Sequence, residues 1–142
     1  MFWDTSAIVP LLIDEAQSAA LTGHLRTDRE PAVWWTTPVE CQSAIQRRHR
    51  DGAIVATELP AVNDRLRTFL QHADTVSPTD EVRRRAARLL AVHALRAADA
   101  LQLGAALTWS EEQPHGECFV SLDPRLREAA SREGFTLIPP AL

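Results

Sequence analysis

The sequence predicts a single α/β domain over residues 1–142, a three-layer α/β/α sandwich with a central parallel sheet of about five short strands. Three observations predict it. Short apolar segments alternate with longer helical ones along the whole chain, as in folds built from strand–helix–strand units. No repeat, low-complexity tract or Ser/Gly linker divides them. The length of 142 residues suits one core that hides roughly 68–70% of the unfolded surface. Strands connected through helices pair in parallel, and sites in such sheets gather at the carboxyl ends of the strands.

The elements follow from local chemistry. Phe2 and Trp3 open a very short strand that runs straight into Asp4, Thr5 and Ser6, and a helix continues from Ala7 to Leu12. A second helix is predicted over Glu15 to Arg26 and a strand over Val33 to Thr36. Thr37 and Pro38 announce a helix reaching about His49 and ending at Asp51 and Gly52. Glu58 to His72 reads as another helix and Thr75 to Ser77 as a third strand. The helical pattern from Pro78 to Trp109 is too long for one ordinary helix, so a break is placed near His93 to Arg96. Phe119 to Leu122 is the fourth strand. Pro124 to Glu133 is a helix closed by Gly134, and Phe135 to Ile138 is the fifth strand, before Pro139 and Pro140.

Apolar residues make up 45% and charged residues 24%, the composition of a folded globular domain. All 15 basic residues are arginine, which excludes chemistries that need a lysine: the P-loop, the Schiff base and the protein kinase. The net charge of −4 argues against holding nucleic acid by bulk attraction, though not against a nucleic-acid enzyme whose acids bind metal. Cys41 and Cys118 lack the companions of a zinc site or a disulfide framework and read as reduced core thiols. No apolar run approaches the roughly 18 residues of a membrane span, and no secretory leader is legible, so a cytoplasmic protein is expected.

Four carboxylates stand out. Asp4 follows the first strand and Asp123 the fourth, so both open onto the same rim of a parallel sheet; each also fits a helix N-cap, and Asp123 is followed by Pro124. Thr37-Pro-Val-Glu40 matches a capping box, which places Glu40 in the first turn of a helix on that same rim. Asp99 lies among Ala97, Ala98, Ala100, Leu101 and Leu103, on a helix that reads as buried. There it needs a donor, a metal or a salt bridge to Arg96.

The stretches FWDTSAIVPLL (2–12), VECQSAIQRR (39–48), LRAADALQLGAAL (95–107) and FVSLDPRLREAA (119–130) resemble, in order and spacing, the four motifs of PIN-domain proteins. More narrowly, they resemble the VapC-like toxin ribonucleases of type II toxin–antitoxin systems. The resemblance spans essentially the whole chain, and its most specific part is Arg-Ala-Ala-Asp-Ala-Leu-Gln-Leu around Asp99. It carries the acidic quartet onto Asp4, Glu40, Asp99 and Asp123, with Ser6 and Ser121 at the small hydroxyl positions. It implies magnesium or manganese dependence, RNA cleavage, a homodimer and a cognate antitoxin.

Carboxylates held close together repel until a cation joins them, and an all-oxygen set suits magnesium better than zinc. In this reading Asp4, Asp99 and Asp123 hold one metal or two, with Glu40 as a ligand or an orienter of water, and Ser6 and Ser121 brace ligand oxygens. Arg47, Arg48 and Arg96 are the candidate contacts to substrate phosphates, although Arg47, Arg48 and Arg50 also suit a helix C-terminus. Arg83, Arg84, Arg85 and Arg88 read as a solvated face near Glu81, and His93 as a packing or capping residue. Trp34, Trp35 and Trp109 read first as packing residues and second as base-stacking ones. The rival functions are a PIN-like interaction module whose acids only cap helices, a receiver-like domain, and a haloacid-dehalogenase-type phosphatase. The last two want a lysine and acids spaced differently from Asp4 and Ser6.

Overall fold

The computed structural model describes residues 1–142. The chain runs β1 (Phe2–Trp3), α1 (Thr5–Leu12), α2 (Ser18–Thr27), β2 (Ala32–Trp34), α3 (Thr37–Arg50), α4 (Leu59–Gln71) and β3 (Asp74–Val76). It continues through α5 (Asp80–Val92), α6 (Ala97–Trp109), β4 (Cys118–Val120), α7 (Pro124–Glu133) and β5 (Thr136–Ile138). The five strands form one parallel sheet in the order β3-β2-β1-β4-β5, with Phe2 opposite both Ala32 and Phe119 and Trp3 opposite Val120. This is the expected α/β sandwich with five short strands.

Period-two alternation sends neighbouring strand residues to opposite layers. Phe2, Ala32, Trp34 and Phe119 join a core with α5, α6 and α7. Trp3, Val33 and Val120 join a second core with α1, α3 and α4 and with Leu21 of α2. In the first layer the Phe2 ring lies 5.8 Å from that of Phe119 in a stacked arrangement, and Phe119 lies 5.6 Å from Phe135. Each fully buried aromatic of this kind contributes roughly 1.5–3 kcal/mol. No helix is long and apolar enough to cross a membrane.

The break in the long helical stretch falls where expected. His93 caps α5 in extended backbone, and Arg96 is extended just before α6. Gly134 closes α7 at φ 108°, in the left-handed region that suits glycine. Several boundaries differ from expectation by one to three residues. The second helix begins at Ser18 rather than Glu15, because the Ser18 hydroxyl binds the carbonyls of Pro10 and Ile13 and accepts the Glu15 amide, folding 13–17 into a turn. β2 stops at Trp34, and Trp35 turns outward, 57% exposed.

Strands β2 and β3 follow β1 to one side, while β4 and β5 return to its other side. The connection order therefore reverses at β1 and β4, the place where open parallel sheets form a crevice beyond the strand ends.

Candidate active site

Asp4 sits at that reversal. Its N–H continues the ladder to Val120 O at 2.9 Å, and its side chain then caps α1 by accepting the Ser6 amide at 3.1 Å. The same oxygen, Oδ2, accepts the Ser6 hydroxyl and the Ser121 hydroxyl, the latter at 3.0 Å. The residue is only 7% exposed. Burial pushes its pKa up to about 6; the hydrogen bonds from Ser6 and Ser121 work against that rise and the nearby Glu40 charge adds to it.

The two serines also fix the turn after β4. Ser6 Oγ accepts the Leu122 amide at 2.8 Å, and Ser121 Oγ accepts the Asp123 amide at 3.1 Å. Beneath them the buried Arg127 guanidinium donates to the carbonyls of Ser121, Ile138 and Pro139 at 2.8, 3.2 and 2.6 Å, and no carboxylate pairs with it. Burial lowers its pKa. Asp123 caps α7, with Oδ1 accepting the amides of Arg125 and Leu126 at 2.9 and 3.0 Å.

Glu40 departs from the expected capping box. The helix starts one residue earlier than that motif requires, with Thr36 at the N-cap, and Glu40 reaches two hydroxyls instead of a backbone amide. Thr36 Oγ1 donates to Oε1 at 2.5 Å and Thr5 Oγ1 to Oε2 at 3.1 Å. Cys41 is fully buried behind it, and burial pushes the thiol pKa up to about 12, which leaves an inert core residue. Cys118 is half-buried and also free.

Asp99 lies in the first turn of α6, where Oδ2 accepts the Arg96 backbone N–H at 3.3 Å. Two expectations are corrected here. The guanidinium of Arg96 makes no salt bridge to Asp99; Arg96 is exposed and does not line the cleft. The first turn of α6 is open rather than buried, with Ala97 and Ala98 exposed and Asp99 half-buried, because the apolar packing begins at Ala100.

The four acids nevertheless face one space. Asp4, Glu40, Asp99 and Asp123 line a single cleft of about 540 Å³ together with Thr5, Ser6, Glu15, Arg47 and Arg48. Ser121 is buried beneath Asp4 and outside the lining. No group of three or more His, Cys, Asp or Glu side chains is close enough to form a ready metal shell. Backbone amides at their own helix starts hold Asp4, Asp99 and Asp123, and two hydroxyls hold Glu40. Three oxygens accept no hydrogen bond, Asp4 Oδ1, Asp99 Oδ1 and Asp123 Oδ2, whereas both oxygens of Glu40 are engaged.

The remaining expectations divide. Arg48 pairs with Glu15, and Arg47 lines the cleft without a partner. Arg83, Arg85 and Arg88 are tied to Asp80, to Glu81 and Glu112, and to Glu133, as a charged face would be. His93 caps α5, with Nε2 2.6 Å from Glu133 Oε1. Trp34 is buried and Trp109 packs on Phe2 at 6.0 Å, so packing describes both. Sequence reasoning missed Glu15, Thr5 and Thr36. The sequence places Glu15 in a helix, and nothing in its local pattern marks a turn that returns to the cleft.

No protein-family model matches this chain, and no curated protein matches it. The chain is similar in structure to PAE2754 from Pyrobaculum aerophilum, known from a crystal structure, with a TM-score of 0.65 and 20% sequence identity. The match covers 96% of this chain and 89% of that one, and at such identity it establishes a shared fold.

Proposed function

We propose that this chain is a magnesium-dependent endoribonuclease of the PIN-domain kind, the toxin of a type II toxin–antitoxin pair. One observation carries the reading. Four carboxylates from four separate segments line one cleft at the point where the strand order reverses. Helix capping accounts for the backbone amides that Asp4, Asp99 and Asp123 bind. It does not account for Glu40, which caps no amide, or for the meeting of these helix starts on one crevice.

The donor set is all oxygen, which fits magnesium or manganese. Asp4, Asp99 and Asp123 would hold the ion, since each keeps one oxygen without a protein partner. A divalent cation bound there supplies charge that makes water more acidic and stabilises negative charge developing at phosphorus oxygens. The chain does the rest. Ser6 and Ser121 saturate Asp4 Oδ2 and so orient its carboxylate. Thr5 and Thr36 fix Glu40 where it can accept a proton or orient water. The starts of α1, α6 and α7 meet at the cleft, where their positive dipole ends would favour an entering phosphate. The same reading places the protein in the cytoplasm as a homodimer restrained by an antitoxin.

A module whose acids only cap helices would bind no magnesium and cut nothing. The test uses protein freed of any bound partner, incubated with mixed RNA in magnesium or in chelator, beside Asp99→Asn. Cleavage in magnesium, loss in chelator and loss in the variant support the reading. Intact RNA under every condition, or undiminished cutting by Asp99→Asn, overturns it.

A further inference from the structure

One wall of the cleft is basic, and it is internally occupied. Arg48 directs Nη2 and Nε at a single oxygen of Glu15, at 2.6 and 2.7 Å, and Glu15 Oε2 accepts no hydrogen bond. Both side chains are about a third exposed, 29% and 31%, a setting in which an ion pair is weak and readily exchanged. The carboxylate is nonetheless delivered by a built turn: the Glu15 amide donates to Ser18 Oγ at 2.8 Å, and Ser18 in turn is bonded to the carbonyls of Pro10 and Ile13. Beside Arg48 on α3, Arg47 lines the same cleft with no ion-pair or hydrogen-bond partner.

A phosphodiester strand entering a cleft with this many carboxylates needs cationic contacts, and the planar fork of arginine suits a phosphate's paired oxygens. The Glu15 carboxylate offers Arg48 the same kind of anionic oxygen that a phosphate would. We propose that Arg47 and Arg48 form a phosphate subsite for an RNA strand, and that Glu15 occupies Arg48 as a built-in anion until a phosphate displaces it. The proposal rests on the nuclease reading for the identity of the strand, whereas the exchange at Arg48 is a binding event separate from cleavage. Glu15 thereby sets a threshold: a ligand must bring enough phosphates to outcompete a tethered carboxylate.

The experiment measures binding of a fluorescent single-stranded oligoribonucleotide in chelator over a salt series, for the parent, Glu15→Ala, Arg48→Gln and Asp14→Asn. Asp14 is exposed in the same turn and outside the cleft lining, so its variant removes an equal charge without touching Arg48. Glu15→Ala is expected to bind more tightly at every salt concentration with the parent's slope of log affinity against log salt, because Arg48 meets the same phosphate in both complexes and only the competing carboxylate is gone. Arg48→Gln is expected to bind more weakly and to lose about 0.7 of slope, one single-strand phosphate contact. Asp14→Asn is expected to match the parent. Equal gains in Glu15→Ala and Asp14→Asn, or no change in Glu15→Ala, overturn the proposal even if the protein cuts RNA. The expected binding pattern without any magnesium-dependent cleavage supports the subsite and overturns the nuclease reading instead.

Discussion

Ser121 donates its hydroxyl hydrogen to Asp4 Oδ2 at 3.0 Å, joining the ends of β1 and β4 across 117 positions of sequence. Ser6 gives its hydrogen to the same oxygen, and both hydroxyls accept amides of the turn that leads to Asp123. One carboxylate thus organises two strand ends. Ser121→Ala should remove a donor from a buried anion, a loss of about 1–3 kcal/mol. The loss should be larger at about pH 8, where Asp4 is ionised, than at about pH 5, and the pH–rate profile for RNA cleavage should move to higher pH. Thermal melts at both pH values and a pH series of initial rates check this.

Asp4 itself should make the metal-free protein pH-sensitive in a defined direction. Its pKa rises from 3.8 to about 6 on folding, so the folded state holds the proton more tightly than the unfolded one. By linkage, the stabilising contribution is full below 3.8 and is lost as pH rises through about 6. A rise of this size corresponds to about 3 kcal/mol at 1.36 kcal/mol per unit. Asp4→Asn should therefore be more stable than the parent at about pH 8 and lose that advantage near pH 4, as read from urea midpoints. Magnesium should raise the parent's midpoint at the higher pH and leave Asp4→Asn unmoved.

Much of this architecture was legible because the cues are local. Apolar segments flanked by Asp4, Pro38 or Gly134 mark element ends, and the excess length of 78–109 forces a break near His93. Asp4, Glu40 and Asp123 were legible because each follows a strand or opens a helix, Asp99 because its neighbours are apolar, and the resemblance joined the four. What was not legible depends on distant contacts. Glu40 looked like a capping-box glutamate because Thr37 precedes it by three residues, yet Thr5 and Thr36 capture it once α1 and α3 pack together. The alternative of an Arg96 salt bridge to Asp99 rests on helical spacing, but Arg96 precedes the helix, so its amide rather than its guanidinium faces the carboxylate.

Glu133 carries the opposite pH signature from Asp4. Burial resists its ionisation, but hydrogen bonds and charges from Arg88 and His93 outweigh that and hold the carboxyl below its ordinary value. Its contribution is present above the unfolded value of 4.5 and is lost as pH falls through the lowered folded value. Glu133→Gln should thus be less stable than the parent near neutrality and converge with it in acid. Because the cluster ties the end of α7 to the end of α5, a double-mutant cycle between Glu133→Gln and Arg88→Gln should show coupling. Denaturation midpoints across an acid series test both statements.

Two glycines should respond to alanine with opposite signs. Gly23, exposed within α2, has nothing within 4 Å of an added Cβ, so Gly23→Ala should stabilise by roughly 0.5–1 kcal/mol through helix propensity. At Gly104 an added Cβ would stand 3.1 Å from Val82 O and 3.2 Å from Ala86 N, both backbone atoms of α5. That helix can yield only by moving as a body, which loosens the core positions Val82 and Leu89, and overpacking of this kind costs about 1–3 kcal/mol. The cost exceeds the propensity gain, so Gly104→Ala should lower the urea midpoint. Since α6 also carries Asp99, displacing it against α5 should reduce RNA cleavage at temperatures where the variant remains folded. Gly23→Ala, outside the cleft lining, should cleave at the parent rate.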